Sequence, residues 1–70
     1  MTIVHAINAI RDNGGWARPL SWKGSGQAIS VHAGAFTFMP ERSRFWAATA
    51  KDIIEGWEIV TPEQVEQERA

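Results

Sequence analysis

Gln27–Met39 reads QAISVHAGAFTFM, and both halves of the stretch alternate. Ile29 and Val31 oppose Ala28, Ser30 and His32 in the first half, while Phe36 and Phe38 flank Thr37 in the second. A period of two, with β-branched and aromatic residues on one side, belongs to half-buried strands, and Gly34 marks a join between them. The stretch predicts an antiparallel hairpin, and the rest of the fold is read outward from it.

Upstream, Trp22–Gly26 (WKGSG) is a glycine-rich turn and Trp16–Leu20 a short strand. Pro19 donates no ladder bond, which places that strand at an edge or at a bulge. Before it, Thr2 can cap a helix whose Ile3, Ala6, Ile7 and Ile10 form one stripe of a 3.6-residue period; Asn13-Gly14-Gly15 stops it. Downstream, Pro40–Ser43 is a turn and Arg44–Ala48 a candidate strand. Thr49-Ala50-Lys51-Asp52 has capping-box spacing and starts a helix that Gly56 ends, and Trp57–Val60 is the closing strand. Thr61-Pro62-Glu63-Gln64 is another helix start, with proline at the first helical position. Only Val65 is available for burial there, so the terminal segment is expected to be frayed or docked on a neighbour. The predicted class is α+β, a small antiparallel sheet packed with two helices. Residues 1–60 form a single domain, and 61–70 form an acidic tail with the makings of a short helix.

A 70-residue chain buries only about 60% of the surface it exposes when unfolded, so its core is marginal and a staple is expected. The chain has no cysteine, which excludes disulfides, thiolate metal sites and thiol catalysis; two histidines, His5 and His32, are too few for a zinc site. The remaining staple is self-association, so a homo-oligomer is expected. No apolar run is long enough for a membrane span and no secretory signal pattern opens the sequence, which predicts a soluble intracellular protein. The formal net charge of -1 argues against general nucleic-acid binding. Charge is nonetheless uneven. Arg18, Lys23, Arg42 and Arg44 face only Glu41 in the middle of the chain, and Glu63, Glu66 and Glu68 face only Arg69 at its end.

No catalytic set emerges. Asp12, Glu41, Asp52, Glu55 and Glu58 fall in no recognisable motif, and Asp52 is better read as a helix cap. His5 lies off the apolar stripe of its helix and His32 on the polar side of its strand, so both are read as solvated. Ser21, Ser25 and Ser30 lack nucleophile-elbow glycines. Gly24 and Gly26 make only a G-x-G fragment, far short of a phosphate loop, and no cofactor is implied.

The tryptophans and cations do interleave. Trp16 and Arg18 share a strand side, Lys23 follows Trp22, and Arg44 precedes Trp46 by two. Rings beside cations suit a ligand with a flat base and phosphates: a ring stacks the base for about 1 to 3 kcal/mol, and arginine meets phosphate oxygens in pairs. Packing is the competing use of each ring in so small a core. Trp57 is read as core, Trp46 as either, and Trp22, beside Lys23 and two glycines, as site.

In order along the chain, the first helix, Arg18, the turn Trp22-Lys23-Gly24-Ser25-Gly26, Trp46, the helix start Ala48–Asp52 and the closing Gly56-Trp57-Glu58-Ile59-Val60 resemble the Thoeris anti-defence protein 2 family of small phage proteins. The resemblance spans residues 3 to 60. It implies a sponge that sequesters a cyclic nucleotide-type immune signal, a cyclic ADP-ribose isomer or a cyclic dinucleotide, without cleaving it. It further implies a homodimer or homotetramer with pockets between subunits, acting in the cytoplasm of the infected bacterial host. On that reading the ligand-binding candidates are Arg18, Ser21, Trp22, Lys23, Gly24, Arg44, Trp46 and Thr49. The chain departs from the family pattern in three places: Lys23 where the turn commonly has asparagine, Phe45–Thr49 where a proline-rich segment is usual, and a shorter middle. The alternative function is a protein-interaction or assembly module with tryptophan hot spots.

Overall fold

The computed structural model describes residues 1–70. Helix α1 (Ile3–Asn13) starts where Thr2 accepts a hydrogen bond from the His5 amide, and it ends at Gly14 in the left-handed conformation. Strand β1 (Trp16–Pro19) follows, then one 3-10 turn at Leu20–Trp22, then the hairpin of β2 (Ala28–His32) and β3 (Ala35–Met39). Ala33 and Gly34 both take positive φ, 54 and 81°, the primed-turn geometry whose twist suits a two-residue hairpin. The chain then runs to α2 (Ala50–Ile54), β4 (Trp57–Val60) and α3 (Pro62–Arg69). The expected α+β class is observed, with three helices where two were expected.

All strand pairs are antiparallel, and their order is β3-β2-β1-β4. Strand β1 is therefore an inner strand, against the edge position that was one of the two places Pro19 suggested, the other being a bulge. Its pairing with β2 is confined to Ala17↔Ile29, so the proline at its end lies beside β4 alone, opposite Trp57. The segment Arg44–Ala48 is not a strand. It makes one bridge, Thr37↔Phe45, on the outer edge of β3, and then leaves the sheet so that Trp46 packs edge-on against Trp57 at 5.6 Å.

Alternation along the strands gives the sheet two unlike faces. Ala17, Ile29 and Trp57 point to the α1 side, where they pack with Ala6 and Ile10; Ile3, Ile7, Trp22, Phe36, Phe38 and Trp46 surround that cluster. Trp16, Arg18, Ala28, Glu58 and Val60 share the opposite face in register, where Val65 of α3 packs with Ala28 and Val60. The terminal segment thus docks on its own sheet rather than fraying or seeking a neighbour. It is capped by Thr61 and Gln64 in a reciprocal capping box with Pro62 in the first turn.

Trp57 is the joint of the front face. It is 2% exposed, and its indole N–H donates to the Asp52 carbonyl at 2.8 Å, tying the end of α2 to β4. Its backbone N–H donates to the Met1 carbonyl at 2.8 Å, so the start of the chain covers part of the β4 edge. The Thr49–Asp52 capping box forms on both sides as expected. Gly56 acts differently from its expected role. The helix ends at Glu55 with φ -86°, and Gly56 itself does not take positive φ; the nearest neighbour of an added Cβ would be Leu20 Cδ1 at 3.0 Å, the end of a side chain free to turn away.

Trp57→Phe keeps most of the ring but leaves the buried Asp52 carbonyl without its donor. The loss of that hydrogen bond is expected to lower unfolding free energy by roughly 1 to 3 kcal/mol in urea titration, before any cavity cost. An unchanged midpoint would mean that the indole N–H is not what joins α2 to β4.

Candidate functional site

The half-buried rings on the front face form a ledge beyond the α1 core. Trp22, set by the 3-10 turn, stacks on Phe38 with centroids 5.6 Å apart and planes inclined by 19°. The Arg44 guanidinium carbon stands 4.5 Å from the centroid of the same Phe38 ring, a cation–π distance. Phe36 meets Trp46 edge-on at 6.4 Å, and Trp46 meets Trp57 likewise at 5.6 Å. Lys23 and Gly24 lie exposed beside Trp22, Gly24 with φ 81°. Trp22, Arg44 and Trp46, taken from two separate segments, are brought together by the two phenylalanines of β3, and Lys23 follows Trp22 in the chain. The sequence reading placed those phenylalanines in the core and missed them as site residues.

Trp46 carries a further peculiarity. Its indole N–H is buried and has no acceptor within the chain, and the same is true of the Thr37 hydroxyl on the other face. Buried donors are normally paired, so the Trp46 N–H is a hydrogen-bonding capacity that folding of one chain leaves unused.

Other candidates have structural employment. Thr49 caps α2, its hydroxyl accepting from the Asp52 amide at 3.3 Å. Ser21 donates from its amide and its hydroxyl to the two Glu55 carboxylate oxygens, at 2.8 and 2.9 Å, which fastens the 3-10 turn to the end of α2.

Arg18 is the main correction. Its side chain projects from the sheet face opposite the ledge and is 2% exposed. Its Nε donates to Glu58 at 2.8 Å, and its two terminal nitrogens donate to the two Glu68 oxygens at 2.5 and 2.7 Å. The Gly26 amide donates to the same Glu68 carboxylate at 3.1 Å. Arg18 is thus committed to two carboxylates of its own chain and cannot reach a ligand on the rings. The Glu68 and Glu58 hydrogen bonds raise its pKa further above the usual arginine range, against the opposing effect of burial. Glu68 is pushed down to about 2, chiefly by its hydrogen bonds from Arg18, against burial and with help from the Gly26 amide. Beside them Arg69 donates to the Gly26 carbonyl at 3.3 Å and to Glu41 at 2.7 Å; the latter bond holds the Glu41 carboxyl below its ordinary value. Glu68 lies 50 residues from Arg18, and no sequence signal pairs them.

One chain forms no enclosed cleft, no cluster of side chains suited to a metal ion, and no helix long and apolar enough to cross a membrane. Large apolar side chains are nevertheless exposed on α2 and just before it: Phe45 at 80%, Ile53 at 57% and Ile54 at 84%.

The ion pair gives a signed pH dependence. An unfolded Glu68 protonates near 4.5 and the folded one near 2, so its contribution to stability is complete above about pH 4.5 and is lost as pH falls toward 2. Urea midpoints taken from pH 7 to pH 2.5 should fall for the parent chain. The Glu68→Gln variant should start lower and fall less, its remaining slope reflecting Glu41 against Arg69. Parallel curves for the two proteins would overturn the assignment.

No family model, no curated protein and no solved structure matches the chain.

Proposed function

We propose that the chain is a non-catalytic sponge for a cyclic nucleotide-type signal, a cyclic ADP-ribose isomer or a cyclic dinucleotide, held on the aromatic ledge and closed over by a second copy. The observation that carries this reading is the stack of Trp22 on Phe38 with Arg44 over the same ring and Lys23 adjacent. Rings offer faces to a base, and Lys23 and Arg44 form no salt bridge with a carboxylate of the chain, which leaves both cations for phosphate. The unused Trp46 N–H supplies a donor for a ligand oxygen or nitrogen once the ledge opens or is completed. The resemblance to the phage anti-defence family gives the ligand class, and action in the host cytoplasm follows from it.

Since one chain forms no cleft, the reading requires a homodimer or homotetramer. The exposed Phe45, Ile53 and Ile54 provide apolar surface for it. A sponge works by stoichiometry and must bind tightly. A ligand of about 35 non-hydrogen atoms at roughly -0.3 kcal/mol each reaches about -10 kcal/mol, a Kd of tens of nanomolar. That ceiling demands an enclosed pocket, and ring closure of the ligand lowers the conformational entropy lost on binding.

The exposed apolar residues equally suit a protein partner, the second reading. Calorimetry with a panel of cyclic ADP-ribose isomers and cyclic dinucleotides separates the two. Capture is expected at tens of nanomolar, with the ligand recovered intact and the complex oligomeric by native mass spectrometry. Lys23→Ala with Arg44→Ala, both at exposed positions, should weaken capture at least tenfold with little change in melting temperature. Heat from no member of the panel, together with a stable heteromeric complex from infected cells, would favour the interaction module. Capture unaffected by the double substitution would remove the ledge from the site.

A further inference from the structure

The back face holds an arrangement that the sponge reading does not use and on which it does not depend. The Arg18 fork is aimed by two elements other than α3: β1 carries it at the centre of the sheet, and Glu58 of β4 fixes its Nε at 2.8 Å. The Gly26 amide faces the same point, oriented by a turn in which Gly24 and Gly26 take φ of 81 and 74°. A forked guanidinium converging with an amide of a glycine turn is a recurrent way to hold an oxyanion, because two fork donors match two oxygens and glycine permits close backbone approach. The occupant is the Glu68 carboxylate, delivered by a helix whose one buried side chain is Val65.

From this geometry we infer that Arg18 and the Gly24–Gly26 turn form an oxyanion site for a phosphate group, and that α3 fills it with Glu68 as an internal competitor. The reason to read it as a site rather than only a brace lies in how little else holds α3. Val65 supplies its apolar contact, and Arg69 adds bonds to the Gly26 carbonyl and to the exposed Glu41. Glu68 is the next-to-last residue of α3 and 20% exposed, so the cradle, with Arg18 and Gly26 buried, lies under the end of the helix rather than its middle. The charges facing the cradle are Arg18 and Arg69 against Glu58, Glu68 and Glu41. Without Glu68 the remaining four balance, and an entering phosphate takes over the charge that the carboxylate supplied. A site closed most of the time binds with an affinity reduced by its open fraction, so removing the competitor should restore that factor.

The test is anion rescue in the full-length chain, with inorganic phosphate as probe and sodium chloride at matched ionic strength as control. Glu68→Ala should melt below the parent, and phosphate should raise its melting temperature by about 5 °C or more, while moving the parent little. In amide NMR spectra, phosphate should shift the Gly26 resonance of Glu68→Ala saturably, with at least tenfold tighter binding than in the parent. Adding Arg18→Gln to Glu68→Ala should abolish the response. If Glu68→Ala fails to fold, phosphate should recover its circular dichroism; no recovery would overturn the inference. So would an absent shift, or an equal response in the parent and both variants. Because the readout uses neither the ledge nor a cyclic nucleotide, failure here leaves the sponge reading standing, and failure there leaves this one.

Discussion

A four-stranded sheet has two faces to cover, and this chain has one well-formed amphipathic helix with which to cover them. That constraint organises the molecule. Helix α1 brings Ala6 and Ile10 to Ala17, Ile29 and Trp57, and the front face closes as an ordinary apolar core. The back face receives eight residues of α3 with one buried side chain, Val65, too little apolar area to hold a helix in place. Ionic bonds supply the rest. Arg18 stands at the centre of that face, and once buried it must be matched. Glu58 on the neighbouring strand and Glu68 on the helix match it together, because an arginine buried without carboxylates would cost several kcal/mol.

The front face has the opposite surplus. Three of the four tryptophans, Trp22, Trp46 and Trp57, gather there with Phe36 and Phe38, more ring than a core of this size absorbs. Trp57 is fully enclosed; Trp22, Phe36, Phe38 and Trp46 are only partly covered and rest on one another. Rings left half in water beside Arg44 and Lys23 are what a site for a flat, charged ligand requires. They are equally what a seam between two copies would cover, and a pocket at such a seam satisfies both demands.

Local elements were legible in the sequence because their causes are local. The Thr2 and Thr49 caps, the Gly14 stop, the alternation of Ile29, Val31, Phe36 and Phe38, and the place of Trp57 follow from neighbours within a turn or two. Strand order was not legible. Pro19 argued for an edge or a bulge, and the shortness of the β1–β2 pairing, itself a tertiary fact, lets it sit in an inner strand. The site was legible in part. Trp22 and Arg44 meet on Phe38 and Trp46 meets Phe36, but both phenylalanines read as ordinary residues of an alternating strand. Arg18 was misplaced for a definite reason: adjacency to the glycine turn in sequence says nothing about which face of β1 it takes, and its partner Glu68 lies 50 residues away in a segment read as an acidic tail, frayed or docked on a neighbour.

The segment from Arg18 to Gly26 nevertheless ties the two faces to each other. Arg18 points back toward Glu68, the 3-10 turn at Leu20–Trp22 swings Trp22 forward onto Phe38, and Gly24 and Gly26 bend the chain so that the Gly26 amide points back again. Ser21 is fastened to Glu55 in the middle of this path, which limits independent movement of its two ends. A ligand drawing on Trp22, as proposed, and an anion drawing on Gly26, as inferred, would therefore act on opposite ends of one braced turn. If either shifts that turn, thermodynamic linkage makes the effect reciprocal: whatever the occupant of the back face does to affinity at the ledge, the occupant of the ledge does to the hold of α3. A glycine turn threaded between a ring on one face and a carboxylate on the other is the physical path that such coupling would take.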